Sequence, residues 1–120
     1  MKTKQILNTL FAIIGIISVA FTLPSSKNIA PKPIKKTMIS FEVQGNCAEC
    51  KERIETALDK NGIYKAIYNI ESSMVTITYD PTKLKEIQLH NMIAMVGHDT
   101  NKVKASNVVY QSLPDCCKYR

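Results

Sequence analysis

The chain has no tryptophan and only four glycines, four cysteines and two histidines among its 120 residues. Basic residues outnumber acidic ones, 16 to 10, for a formal charge of +6. They are scattered, with no basic stripe and no interleaved aromatics, which argues against nucleic acid as a partner. No nucleophile is paired with a base and no phosphate loop occurs, so no enzyme active site is written in the sequence. No cysteine directly follows the N-terminal apolar run, which removes a lipid-modified N-terminal cysteine as an option.

That run is the first feature present. Lys2 and Lys4 precede "ILNTLFAIIGIISVAFTL", which breaks at Pro24-Ser25-Ser26. A basic start, an apolar centre and the small residues Ser18-Val19-Ala20 describe a secretory signal peptide. The run is also just long enough for an uncleaved membrane anchor. Asn8 and Thr9 shorten its purely apolar part, which favours cleavage. Residues 1–23 are therefore expected to be a signal peptide or anchor. The rest is expected to be exported, to the periplasm or the outer face of the cell membrane. Residues 24–36, "PSSKNIAPKPIKK", have no hydrophobic period and predict a flexible linker. What remains, residues 37–105 plus a cysteine-containing tail at 106–120, is too short for an extensive core, so a two-layer fold is expected.

In "TMISFEVQ", Ile39, Phe41 and Val43 alternate with Ser40, Glu42 and Gln44, the period of a half-buried strand. Cys50, Ile54, Ala57 and Leu58 then form one helical stripe, with Asn61-Gly62 as its stop. "IYKAIYNI" and "MVTITY" alternate on either side of Glu71-Ser72-Ser73 and predict a hairpin. Asp80-Pro81 is expected to open a second helix, with Leu89, Met92, Ile93 and Val96 buried and Gly97 ending it. Val103 and Ala105 signal a short last strand over Lys102 to Ala105. The order βαββαβ predicts an α+β open-faced sandwich, both helices on one side of a four-stranded sheet. Met92 and Met95 are expected to pack in the core, and His90, off the stripe, to be solvated.

"GNCAEC", Gly45 to Cys50, places two cysteines where a strand hands over to a helix. Residues three apart at a helix start are neighbours, so both sulfurs can converge. Backbone N–H groups and the positive end of the helix dipole favour the thiolate there. Thiolates select soft ions such as Cu(I), whereas Zn(II) normally wants four ligands. Two cysteines thus suit two- or three-coordinate Cu(I) or Hg(II) better than a structural Zn(II), and leave room for a partner's thiolate.

"FEVQGNCAECKERIETALDKNGI", "VTITYDP" and "MIAMVGHDT" resemble the heavy-metal-associated domain of copper chaperones, metal-ATPase N-terminal domains and periplasmic mercury-binding proteins. The resemblance covers about Met38 to Ala105. It implies a ferredoxin-like fold and soft-metal binding through two cysteines, which map onto Cys47 and Cys50. One departure matters. The family usually has Gly-Met-x-Cys-x-x-Cys, whereas here only Asn46 separates Gly45 from Cys47, and the Met is absent. A shorter loop should change its path and lose a hydrophobic tether, with fold and cysteine role surviving.

Other readings of the pair are a plain disulfide or a redox couple. Against redox catalysis, no Trp precedes Cys47 and no Pro lies between the two cysteines. His98, after Gly97, is expected near Cys47 as a third ligand or a counter-charge to the thiolates, or else as a surface histidine at a helix end. Beyond Ala105 the resemblance stops, and a short helix from Ser106 should end at Leu113-Pro114. Cys116 and Cys117 are too close in sequence to bond comfortably to each other, since adjacent α-carbons lie about 3.8 Å apart and disulfides prefer roughly 4.4–6.8 Å. They could bind metal with Cys47 and Cys50, form a disulfide to one of them, or link two chains. The expectation is an exported soft-metal carrier or scavenger, monomeric or joined by metal or disulfide, serving a metal-transporting membrane protein or efflux component. The alternative is a small thiol–disulfide oxidoreductase using both cysteine pairs.

Overall fold

The computed structural model describes Ser26 and residues 29–120. Residues 1–23, expected to be a signal peptide or anchor, lie outside the described residues. The chain divides into residues Met1–Pro31 and a compact unit, Lys32–Arg120. Of the first, Ser26 and residues 29–31 have no regular secondary structure. In the second, β1 (Thr37–Glu42), α1 (Ala48–Ala57), β2 (Ile63–Asn69), β3 (Met74–Tyr79) and α2 (Glu86–Met95) are followed by a short α3 (Asn107–Gln111) and a 3-10 turn, Asp115–Cys117. Among the described residues no helix is long and apolar enough to cross a membrane.

The strands form an antiparallel sheet in the order β1-β3-β2. Phe41 pairs with Val75, which pairs in turn with Tyr68, so the alternation of all three strands sends these side chains to one face. There they meet Ile54 and Leu58 of α1 and its end, and Leu89 and Ile93 of α2, in one buried core. The opposite face carries polar pairs such as Ser40 and Thr76, whose hydroxyl oxygens are 2.7 Å apart. Edge strand β2 is tied to α1 through Glu55, which accepts the Tyr68 N–H at 2.8 Å, and Lys51, which donates to the Tyr68 carbonyl at 2.7 Å.

Four expectations need correction. Asp80-Pro81 does not open α2. Asp80 Oδ1 instead accepts from Thr82 N and Oγ1, capping a turn, and α2 begins at Glu86, where Gln88 Oε1 accepts from Lys85 N at 2.7 Å. The strand at 102–105 is replaced by a single antiparallel bridge, Val43 to Thr100. Its physical cause is a tight turn: Thr100 N donates to Val103 O, Thr100 Oγ1 accepts from Val103 N, and Asp99 Oδ1 accepts from Ala105 N. The chain therefore leaves the sheet edge and runs into α3. His90 is not solvated but fully buried, its ring stacked on Phe41 at 3.8 Å and Nδ1 2.7 Å from Thr100 Oγ1. The turn after α2 covers the helix side that the apolar stripe alone would have left in water. Of the two methionines, Met92 packs against the core and Met95 is exposed.

Candidate metal centre

The segment Val43–Cys47 joins β1 to α1 and is held from three sides. The Tyr68 hydroxyl reaches Val43 O at 3.1 Å and Gly45 O at 2.9 Å. His98 Nδ1 donates to Gln44 O at 2.8 Å, and Gln44 N donates to Asp99 O at 2.8 Å. A Cβ at Gly45 would lie 3.1 Å from Tyr68 Oη and 3.2 Å from Cys50 Cβ, so this close approach needs a glycine. Cys47 is the N-cap of α1, its sulfur accepting from Cys50 N at 3.4 Å. Asn46 Oδ1 accepts from the Cys50 thiol at 3.6 Å.

All four cysteines are free thiols, and the tail brings the second pair to the first. Cys47 Sγ lies 3.1 Å from Cys50 Sγ, 3.3 Å from Cys116 Sγ and 3.3 Å from Cys117 Sγ. The sulfurs of Cys47, Cys50 and Cys117 are all within 4.8 Å of one another. Cys50 and Cys117 are buried, packed with Tyr110 and Leu113 and flanked by Tyr119. The tail therefore supplies apolar cover beside a loop that lacks the family's Met. Cys116 is exposed at the rim, 3.4 Å from Glu49 Oε2.

Electrostatics separate the thiols. Burial opposes ionisation of Cys47, but hydrogen bonds from the Cys50 thiol and N–H, and from the Cys116 and Cys117 thiols, outweigh it and bring Cys47 down to about 7. While Cys47 keeps its proton it can donate to Cys116; once ionised it can only accept. Cys116 is raised to about 11, first by its hydrogen bond to Cys47, then by burial and by Glu49. Burial, with hydrogen bonds to Cys50 and Cys47, pushes the Cys117 thiol well up. The site thus has one ready thiolate, Cys47, beside raised thiols whose protons a bound ion would displace into solvent. Such a sulfur-only donor set fits soft metal ions.

The sequence-derived candidates divide accordingly. Cys47, Cys50 and Cys117 come together, with Cys116 touching Cys47. His98 lies outside the set of mutually close donor atoms. It is buried beneath the loop with Nδ1 committed to Gln44 O, and its ring lies 6.0 Å from that of Tyr119, nearly parallel. Burial lowers its pKa, keeping the imidazole neutral. Sequence reading did not anticipate Tyr68, which braces the loop, nor Asp99 and Arg120, which pair in a salt bridge that fastens the tail. The only sequence signal for the tail residues was the clustering of Tyr119 and Arg120 beside the two cysteines.

Comparison with known proteins agrees with this architecture. The family profile described as heavy-metal-associated domain matches residues 40–99. Copper chaperone CopZ of Staphylococcus aureus is 33% identical over 61 residues, which is 49% of this chain and 90% of that protein. A zinc-transporting ATPase of Synechocystis sp. is 32% identical over 62 residues, 51% of this chain but only 9% of the ATPase. The solved CopZ metallochaperone superposes with a TM-score of 0.52 at 30% identity, over 53% of this chain and 98% of that one. Oxidized MerP from Ralstonia metallidurans CH34 superposes with a TM-score of 0.53 over 56% of this chain and 96% of its own, and at 22% identity shows the shared fold alone. The profile spans Cys47 and Cys50 and stops before Cys116 and Cys117, so with a ferredoxin-like fold and an added tail the chain belongs to the heavy-metal-associated domain family.

Proposed function

We propose that this protein is an exported carrier or scavenger of a soft metal ion, Cu(I) foremost and Hg(II) also suited by sulfur donors. It would deliver its ion to a metal-transporting membrane protein or efflux component. The observation that carries the reading is Cys47: a thiol brought down to about 7, at the start of α1, 3.1 Å from the sulfur of Cys50. A thiolate available at neutral pH beside a second sulfur can capture a soft ion and release it by ligand exchange. Among similar proteins, CopZ is named a copper chaperone, and a Bacillus subtilis domain, 28% identical, is described in a Cu(I)-loaded state as part of a potential copper-translocating P-type ATPase. The zinc-transporting ATPase keeps Zn(II) as the competitor to test. Export rests on the basic and apolar N-terminal segment, Lys2 to Leu23.

The experiment is anaerobic titration of the reduced chain with Cu(I), Hg(II) and Zn(II), read by native mass spectrometry. Binding of Cu(I) in preference to Zn(II), lost when Cys47 and Cys50 are both changed to Ser, is expected. No Cu(I) adduct, or one that survives that double change, would sink the reading. A thiol–disulfide oxidoreductase would instead reduce insulin, and that assay distinguishes the alternative.

A further inference from the structure

We propose that Cys117 is a third sulfur ligand of the Cys47–Cys50 site, presented by the tail and held there by a latch between Asp99 and Arg120. The proposal rests on the soft-metal reading above and adds a donor from outside the matched family region. Its first support is the sulfur triangle itself: the sulfurs of Cys47, Cys50 and Cys117 lie within 4.8 Å of one another although 66 residues lie between Cys50 and Cys117. Cys117 is fully buried beside Cys50, on a 3-10 turn that packs against α1. Cys116, its neighbour, points to the exposed rim.

The second support is the way the tail is fastened. The Arg120 guanidinium forks onto Asp99, with Nη2 on Oδ1 and Nε 3.2 Å from Oδ2. It also donates to Ala105 O at 2.9 Å and Asn107 Oδ1 at 3.0 Å, and it sits 4.5 Å from the centre of the Tyr110 ring. The Tyr119 hydroxyl donates to Gly97 O and accepts from Asp99 N, both at 2.8 Å. Leu113 lies so close to Gly97 that a Cβ there would come within 2.8 Å of it. Asp99 is the junction: its carbonyl accepts from Gln44 in the Cys47 loop, while its side chain holds Arg120. Two of the three donors are therefore fixed by the domain and one by a segment with its own fastening.

Such a site has two forms. Latched, three sulfurs surround the ion and the tail covers it. Unlatched, the ion keeps Cys47 and Cys50 and presents an open side to a partner. In the exchange a partner sulfur forms its bond to the metal as the Cys117–metal bond breaks. The proton lost by the incoming thiol ends on the departing Cys117 sulfur, and no electron changes hands.

The test has a metal-free and a metal-loaded arm on the full chain. In the first, Cys117 alkylation by iodoacetamide is mapped by tandem mass spectrometry in the unaltered protein and in Arg120→Ala. At least a tenfold faster reaction is expected in the variant. An unchanged rate would overturn the latch. Arg120→Lys, which keeps the charge and loses the fork, serves if Arg120→Ala does not fold, with the same two outcomes. In the second arm, loss of Cu(I) to bathocuproine disulfonate is timed, and Cys117→Ser is expected to release the ion several-fold faster. Normal uptake with an unchanged release rate would overturn the ligand role alone. Absence of uptake by the unaltered chain would overturn the functional reading and the ligand role with it.

Discussion

The hydroxyl of Tyr68, on edge strand β2, donates to the carbonyl of Gly45 at 2.9 Å, tying the sheet to the loop that carries Cys47. The same oxygen lies 3.1 Å from Val43 O, and the ring is 1% exposed within the main core. Burial raises the pKa of this hydroxyl, so it remains a donor through the physiological range. One side chain thereby links core packing to the position of the first thiolate.

Tyr68→Phe keeps the ring and removes the donor, leaving Val43 O without it in a buried setting. The expected loss is about 1–2 kcal/mol of stability. Cu(I) affinity should fall a few-fold as well, because the Cys47 loop loses a brace. Urea denaturation of the metal-free protein and competitive Cu(I) titration check the two effects separately.

Gly45→Ala probes the same contact from the other side. The new methyl would sit 3.1 Å from Tyr68 Oη and 3.2 Å from Cys50 Cβ, closer than ordinary contact. Neither neighbour yields freely, because Tyr68 is core and Cys50 lies in the first turn of α1. Overpacking of this kind costs about 1–3 kcal/mol. The stability loss should come with a marked fall in Cu(I) affinity, since relief of the clash moves the sulfurs apart.

Cys47 should react with iodoacetamide along a pH profile with its midpoint near 7. Because this pKa is lowered on folding, the thiolate's contribution to stability is lost as pH falls through 7 and complete above the ordinary value of 9.0. Cys116, raised to about 11, acts oppositely and loses stability as pH rises past 9.0. The donors around Cys47 give the mutational test. Cys116→Ala deletes a thiol donor and should move the Cys47 midpoint upward, whereas Cys116→Ser keeps a donor and should leave it close to 7. Peptide-resolved alkylation rates between pH 5 and 10 measure both.

The alternation of Ile39, Phe41 and Val43 and the stripe Cys50, Ile54, Leu58 were enough to place the strand-to-helix corner, because periodicity reports a residue's own element. The placement of Cys47 and Cys50 at that corner was legible for the same reason. Contacts between distant segments were not. Thr100 and Asp99 are ordinary polar residues in sequence, yet their side chains close the turn that dissolves the last strand and frees the tail to fold back. Cys116 and Cys117 announced chemistry but not its place. Their arrival beside Cys47 depends on Arg120 meeting Asp99 across 21 residues, a pairing no local pattern encodes. His90 was misread because α2 is covered on two sides, and a single apolar stripe records only one.

That burial gives His90 a pH signature. Its ring has no exposure, stacks on Phe41, and places Nδ1 against Thr100 Oγ1. Burial lowers its pKa below the ordinary 6.5 against the pull of Glu86, whose Oε1 is 3.5 Å from Nε2 and is also held by Lys102. The folded state therefore keeps the ring neutral while the unfolded chain protonates it. Stability from this group is present above pH 6.5 and is lost as pH falls through that value, at up to about 1.4 kcal/mol per pH unit. His98, also lowered by burial, adds in the same direction. The depressed carboxylates of Glu86 and Asp99 act in a separate window, losing their contributions only as pH falls through the carboxylate range. Urea midpoints should thus drop between pH 7 and 5.5, above the window in which Glu86 and Asp99 take up protons. His90→Gln, which has nothing to titrate, should lower stability at pH 7 and flatten that slope, while an unchanged slope would show that the ring takes up its proton without leaving the fold.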